Sequence, residues 1–197
     1  EFYLHGHSWG TALALEYYLK YPKGIKAIIF NSPYFSTSLW KADADTLITT
    51  LPDSIQLAIK TGEKNHDYGS PAYKNANEVF YKNFGVRKTK LTSELDTSTA
   101  KGNEFIYNYM WGPTEFTAAG TLINYNRVQS LKTIKVPTLF ITGEFDEARP
   151  VTVKYFQSLV PNSKFVMIDG AGHGTMHDNK GQNISAVKTF LDSLELK

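Results

Sequence analysis

The chain has 197 residues, 42% apolar and 20% charged, the composition of a folded globular protein and not of a disordered one. Its 21 Lys and Arg stand against 19 Asp and Glu, a net charge of +2 with the basic residues scattered, which argues against a nucleic-acid partner. Cysteine is absent, which excludes a disulfide framework and thiolate metal sites and fits a reducing compartment such as the cytoplasm. No apolar run approaches the roughly 20 residues needed to span a bilayer, so no membrane partner is expected.

Phe2-Tyr3-Leu4-His5 is a short apolar run stopped by Gly6, the pattern of a buried strand entering a tight turn. Trp9 to Tyr21, rich in Ala and Leu and closed by Pro22 and Gly24, predicts a helix. Ile25 to Phe30 predicts a second strand. From about Phe35 to Arg127 the alternation breaks for longer than a connecting loop in a compact domain allows. Helical pieces at Leu39 to Leu51 and Asn75 to Phe84, separated by Gly and Pro, predict a helical cap over residues 35–127. It is inserted between two core segments, 1–34 and 128–197. In the second segment, Val136 to Ile141 and Lys164 to Ile168 predict strands, and Val151 to Leu159 a helix entered through Pro150. The last helix places Ile184, Val187, Leu191 and Leu194 on one face. Strands alternating with helices give the α/β class, a parallel sheet with helices on its faces.

Gly6-His7-Ser8-Trp9-Gly10 matches the G-x-S-x-G elbow and sits where that motif works, between a strand and a helix. A sharp turn there exposes the Ser8 hydroxyl, and small residues let strand and helix approach closely. The same turn puts the Trp9 N–H at a helix start, where it can donate to an oxyanion. In α/β-hydrolases, which this arrangement resembles, the acid and then the histidine follow the serine along the chain. Asp146, in Gly143-Glu144-Phe145-Asp146-Glu147 after a predicted strand, is the better acid by position; Asp169 and Asp178 are alternatives that flank the histidine loop. His173, in Gly170-Ala171-Gly172-His173-Gly174, is the candidate base, with Asp146 fixing its tautomer. Among the other histidines, His5 reads as a core residue of the first strand, His7 as a residue lining the site and His66 as solvated. His173 and His177 have a spacing that on a helix would suit a metal, but no Glu completes a His-Glu-x-x-His pattern and the glycines oppose a helix. No metal or other cofactor is expected.

The elbow, the acid loop and the segment Trp111-Gly112-Pro113-Thr114-Glu115-Phe116 together resemble the proline iminopeptidases, and the resemblance covers nearly the whole chain. These are α/β-hydrolase serine peptidases that release an N-terminal residue, preferably proline. The resemblance implies that Glu115 and Glu147 hold the free amino terminus of a peptide substrate. That role is chemically reasonable, because a cation in a pocket partly removed from water needs anions and hydrogen bonds around it. It also implies an apolar proline pocket, for which Tyr34, Phe35, Trp40 and Trp111 are candidates; Glu144 receives no role. The family carries a His-Gly-Gly-Pro-Gly-like segment well ahead of the elbow that supplies a second oxyanion donor. Nothing before Glu1 contains it, nor the first strands of the sheet. The expectation is therefore the C-terminal part of the fold, partnered by an N-terminal segment of the same protein. Alone it should be a poor enzyme, since one oxyanion donor is worth about 10²–10³ in rate. An esterase or amidase without amine recognition is the alternative activity.

Overall fold

The computed structural model describes residues 1–88, 97 and 100–195. Four strands, β1 (Phe2–His7), β2 (Ile25–Asn31), β3 (Thr138–Gly143) and β4 (Ser163–Ile168), form a parallel sheet in the order β1-β2-β3-β4. Helix α1 (Trp9–Lys20) joins β1 to β2, and α6 (Pro150–Ser158) joins β3 to β4. Between β2 and β3 lie α2 (Thr37–Ile48), α3 (Asp53–Asn65), α4 (Pro71–Phe80), a π-helical turn Tyr81–Gly85, α5 (Glu104–Met110) and a 3-10 turn Val128–Thr133. A short α7 (Thr175–Asp178) and a long α8 (Lys180–Glu195) complete the described chain.

The period-2 geometry of a strand explains the layering. On β2, Ile28 and Phe30 point to one face, where they join Phe140 and residues of α1 (Ala12, Leu15, Tyr18) and α6 (Val153, Phe156). Ala27 and Ile29 point to the other face and meet Leu139, Ile141 and Phe190 of α8. Helices thus cover both faces of the sheet, the arrangement that lets parallel strands be apolar on both sides. The helices between β2 and β3 have a core of their own around Ile59, Tyr73, Phe80 and Phe116, while Trp40 and Trp111 pack into the core of the sheet.

Several elements differ from the sequence reading. The first strand runs on through Gly6 to His7, because both still pair with Phe30 and Asn31 of β2. Helix α4 starts at Pro71, capped by the Ser70 hydroxyl, and its predicted last turn is the π-helical one. Neither α3 nor α5 was expected. Ile184 is exposed, and Asn183 takes the inner position in its place, donating to Thr175 Oγ1 at 3.0 Å. His5, expected in the core, is exposed on β1, which forms one edge of the sheet. Among the described residues no helix is long and apolar enough to cross a membrane.

Candidate active site

All three candidate catalytic side chains leave the C-terminal ends of parallel strands, the usual place for sites in such sheets. Ser8 follows β1, Asp146 lies in the loop after β3 and His173 in the loop after β4. Ser8 has φ 54 and ψ −128, a left-handed conformation rarely adopted by a non-glycine residue. Strain of this kind persists only where the surroundings impose it. Here the Ser8 N–H donates to Asn31 O at 3.0 Å, the Thr11 N–H donates to Ser8 O at 2.9 Å, and a side chain on Gly6 would strike the backbone of Gly10. Trp9 is the first residue of α1, so its N–H has no acceptor within the helix.

Asp146 is 1% exposed and saturated with donors. Its carboxylate accepts from Gly143 N at 3.1 Å, Ala148 N at 2.8 Å and Thr142 Oγ1 at 3.2 Å. His173 Nδ1 donates to Asp146 Oδ1 at 2.8 Å, which fixes the tautomer and leaves Nε2 as the nitrogen that can take a proton. That Nε2 is buried and has no hydrogen-bond partner among the described residues, so the bond to the Ser8 hydroxyl is not formed here. Such bonds are often long in unliganded enzymes and tighten in the complex. Burial alone would lower the His173 pKa, but the carboxylates of Asp146, Glu147 and Glu115 outweigh it and raise it to about 9. Burial likewise opposes ionisation of Asp146, yet His173 and the hydrogen bonds hold its carboxyl below the usual range.

The loop that carries His173 is fastened from several sides. His173 N–H donates to Phe84 O at 2.7 Å and Gly174 N–H to Gly85 O at 2.9 Å, so the loop rests on the π-helical turn after α4. Asp178 receives the N–H groups of Arg87, Lys88 and Gly172 at 2.9–3.1 Å, which makes it a tie between these two segments and not the triad acid. The His173 carbonyl accepts from Ser32 Oγ at 3.1 Å and from His7 Nε2 at 2.9 Å. Sequence reasoning left His7 with only a lining role. Its place beside the nucleophile was the available signal, because the elbow lies next to the histidine loop in this fold. Among the described residues no group of three or more potential metal ligands occurs.

Glu147 is the unusual residue. It is 1% exposed, its Oε1 lies 3.7 Å from His173 Nδ1, and neither carboxylate oxygen has a hydrogen-bond partner among the described residues. Burial and the neighbouring Glu115 carboxylate push its pKa well above the ordinary value. Glu115 is half-buried and lines a cavity of about 700 Å³ together with Ser8, Trp9, Tyr34, Trp40 and Trp111. Phe35 does not line it; it is fully buried in the sheet core. Tyr107, another lining residue, has its phenol pushed upward by burial and then by Glu115. Burial, Glu115 and Glu147 similarly raise Tyr81 to about 12. Both phenols lie close enough to Glu115 and Glu147 to feel their charge. Glu144 instead accepts from the Gly170 N–H at 2.9 Å, on the exposed side of the loops.

Residues 1–180 match the family model described as alpha/beta hydrolase fold. The proline iminopeptidase of Heyndrickxia coagulans is 38% identical over 195 residues, which are 98% of this chain and 68% of that protein. The proline iminopeptidase of Lactobacillus helveticus (strain DPC 4571) is 33% identical over 98% of this chain and 66% of its own length. Among solved structures, VinJ superposes with a TM-score of 0.92 at 26% identity, and the proline iminopeptidase of Mycobacterium smegmatis with 0.90 at 28%. Each alignment covers 98% of this chain and 66% of the other, so the chain spans about two thirds of the length of these relatives.

Proposed function

Because the chain belongs to the proline iminopeptidase family of α/β-hydrolases, we propose that it carries the catalytic centre of a serine aminopeptidase that releases N-terminal proline from peptides. In this reading Ser8 Oγ attacks the carbonyl of the first residue while His173 Nε2 takes its proton. Asp146 holds the imidazole in its tautomer and stabilises the imidazolium, and the Trp9 N–H donates to the developing oxyanion. His173 then gives the proton to the departing amine. A water activated by the same imidazole hydrolyses the prolyl-Ser8 ester and regenerates the serine.

The observation that carries this reading is Glu147. A buried carboxylate without a single hydrogen bond is costly, and native proteins seldom leave one unless something binds it. Here it stands beside the imidazole, with a second carboxylate, Glu115, close enough to raise its pKa. Two carboxyl groups, one beside the catalytic imidazole and one lining the cavity with Ser8, fit a substrate ammonium close to the scissile carbonyl. A neutral ester would satisfy neither. The apolar remainder of the cavity suits a pyrrolidine ring.

The test is steady-state hydrolysis of prolyl-β-naphthylamide against its N-acetyl derivative by the intact protein. The free amine is expected to be cleaved and the blocked one not. Comparable turnover of both would remove the amine from the recognition and favour an esterase or amidase.

A further inference from the structure

Glu115 enters the cavity from an irregular stretch, residues 111–116, and not from a named helix or strand, so side-chain bonds share with a few backbone bonds the work of holding it. Trp111 Nε1 donates to Thr114 O at 2.9 Å, and the Tyr73 hydroxyl pairs with the Thr114 and Thr117 hydroxyls at 3.2 and 2.7 Å. These bonds steady the neighbours of Glu115. Trp40, reaching over from α2, holds Glu115 itself: its Nε1–H donates to Glu115 O at 2.9 Å.

The same indole has a second contact. Its ring stands edge-on against the His173 imidazole, with centroids 5.4 Å apart at 85°. Trp40 is 6% exposed and is braced in place by Tyr34 and Trp111, each in an edge-to-face contact. An indole is rigid beyond two torsions, so a braced tryptophan acts as a spacer of fixed length between what touches its N–H and what touches its ring. We propose that Trp40 is a positioning residue that sets the spacing between the Glu115 carboxylate and His173, and through it the enzyme's demand for an amine one residue from the scissile carbonyl. The inference rests on the aminopeptidase reading. It matters because binding groups must be held to within about half an ångström to act on a reacting centre. A main-chain anchor that loosens by more than that releases the amine while the elbow stays intact.

Trp40→Phe keeps an aromatic ring and removes the N–H donor. Loss of one hydrogen bond to an uncharged carbonyl corresponds to about three- to tenfold. The expected result is a rise of that size in KM for prolyl-β-naphthylamide, with a smaller change in kcat, so that turnover of the free amine relative to a small neutral ester falls by the same factor. Placed in a Glu115→Gln background, the substitution is expected to add less than about twofold, because it acts through the Glu115 charge. If the Phe variant does not fold, benzothienylalanine at position 40 serves the same comparison, being isosteric with tryptophan and lacking the N–H. Equal losses on amide and ester, or a full additional loss in the Glu115→Gln background, would overturn the proposal in favour of plain packing. If Glu115→Gln alone leaves KM unchanged, the aminopeptidase reading fails and takes this one with it. A clear Glu115→Gln effect without any Trp40→Phe effect overturns this one alone.

Discussion

Burial favours the neutral acid at Glu147, and a bound ammonium would draw it into the ionised form. Glu147→Gln therefore keeps nearly the same shape and removes the charge that forms in the complex, at a place where solvent cannot compensate. The residue is 1% exposed, and both oxygens are free of hydrogen bonds among the described residues, so an ammonium bound there would meet an almost undiluted charge. Removing one partner of such a buried charge pair costs about 2–5 kcal/mol. Gln still accepts a hydrogen bond from the amine and Glu115 still contributes its charge, which puts the variant near 2 kcal/mol. At about 1.4 kcal/mol per tenfold, that is a loss of about 30-fold in kcat/KM for prolyl-β-naphthylamide. The assay runs this substrate beside a small neutral p-nitrophenyl ester, which has no ammonium to hold and is expected to lose less than about threefold. The ratio of the two losses carries the information, since general damage to the site lowers both. Equal losses would refute the reasoning and return Glu147 to the status of a costly structural carboxylate.

Ser8→Ala and His173→Ala are each expected to remove nearly all turnover on every substrate without lowering Tm by more than a few degrees, because the members act as a unit; residual activity within about tenfold of the parent in Ser8→Ala would exclude the serine mechanism. With the neutral ester, so that no substrate group titrates, kcat/KM is expected to rise through a pKa near 9 and not near the usual imidazole value, because His173 must lose a proton that neighbouring carboxylates stabilise. Glu147→Gln takes away one of those anions, so the limb moves to lower pH; a limb that stays in place would contradict the assignment of His173 as the base that Glu147 influences. Gly172→Ala would drive a methyl group to 2.6–2.7 Å from the carbonyl oxygens of Gly85 and Phe84, which should cost about 1–3 kcal/mol and loosen the His173 loop, lowering Tm and the turnover of both substrates together.

Much of the core was legible because its signals are local. The runs Ile25 to Phe30 and Lys164 to Ile168 are short, apolar and bounded by Gly or Pro, and each appears as a strand with its end within a residue or so of the expected place. Ser8, Asp146 and His173 were legible for a related reason: glycine marks the loops from which they emerge. The helices between β2 and β3 were harder. In α3 only Ile55, Ile59 and Gly62 are buried, a thin stripe, and Gly62 is there because the Tyr73 ring leaves no room for a side chain. Helix α5 seals no whole residue into the core, so no hydrophobic period could have announced it. The start of α4 was readable and overlooked, since Ser70 before Pro71 is a cap followed by a proline at the first helical position. Nothing local could have disclosed that Trp40 bonds Glu115 across 75 residues, or that Asp178 fastens the His173 loop to Arg87, because those pairings exist only once the chain has folded.

The most direct test of a serine aminopeptidase built on Ser8 is to catch the covalent intermediate. The intact protein is mixed with prolyl p-nitrophenyl ester, quenched in acid within the first turnovers and analysed by mass spectrometry of its peptides. The account predicts a prolyl group on Ser8, absent in Ser8→Ala and absent when the proline nitrogen is acetylated. A prolyl adduct on another residue, no adduct despite turnover, or equal labelling by the acetylated ester would contradict it.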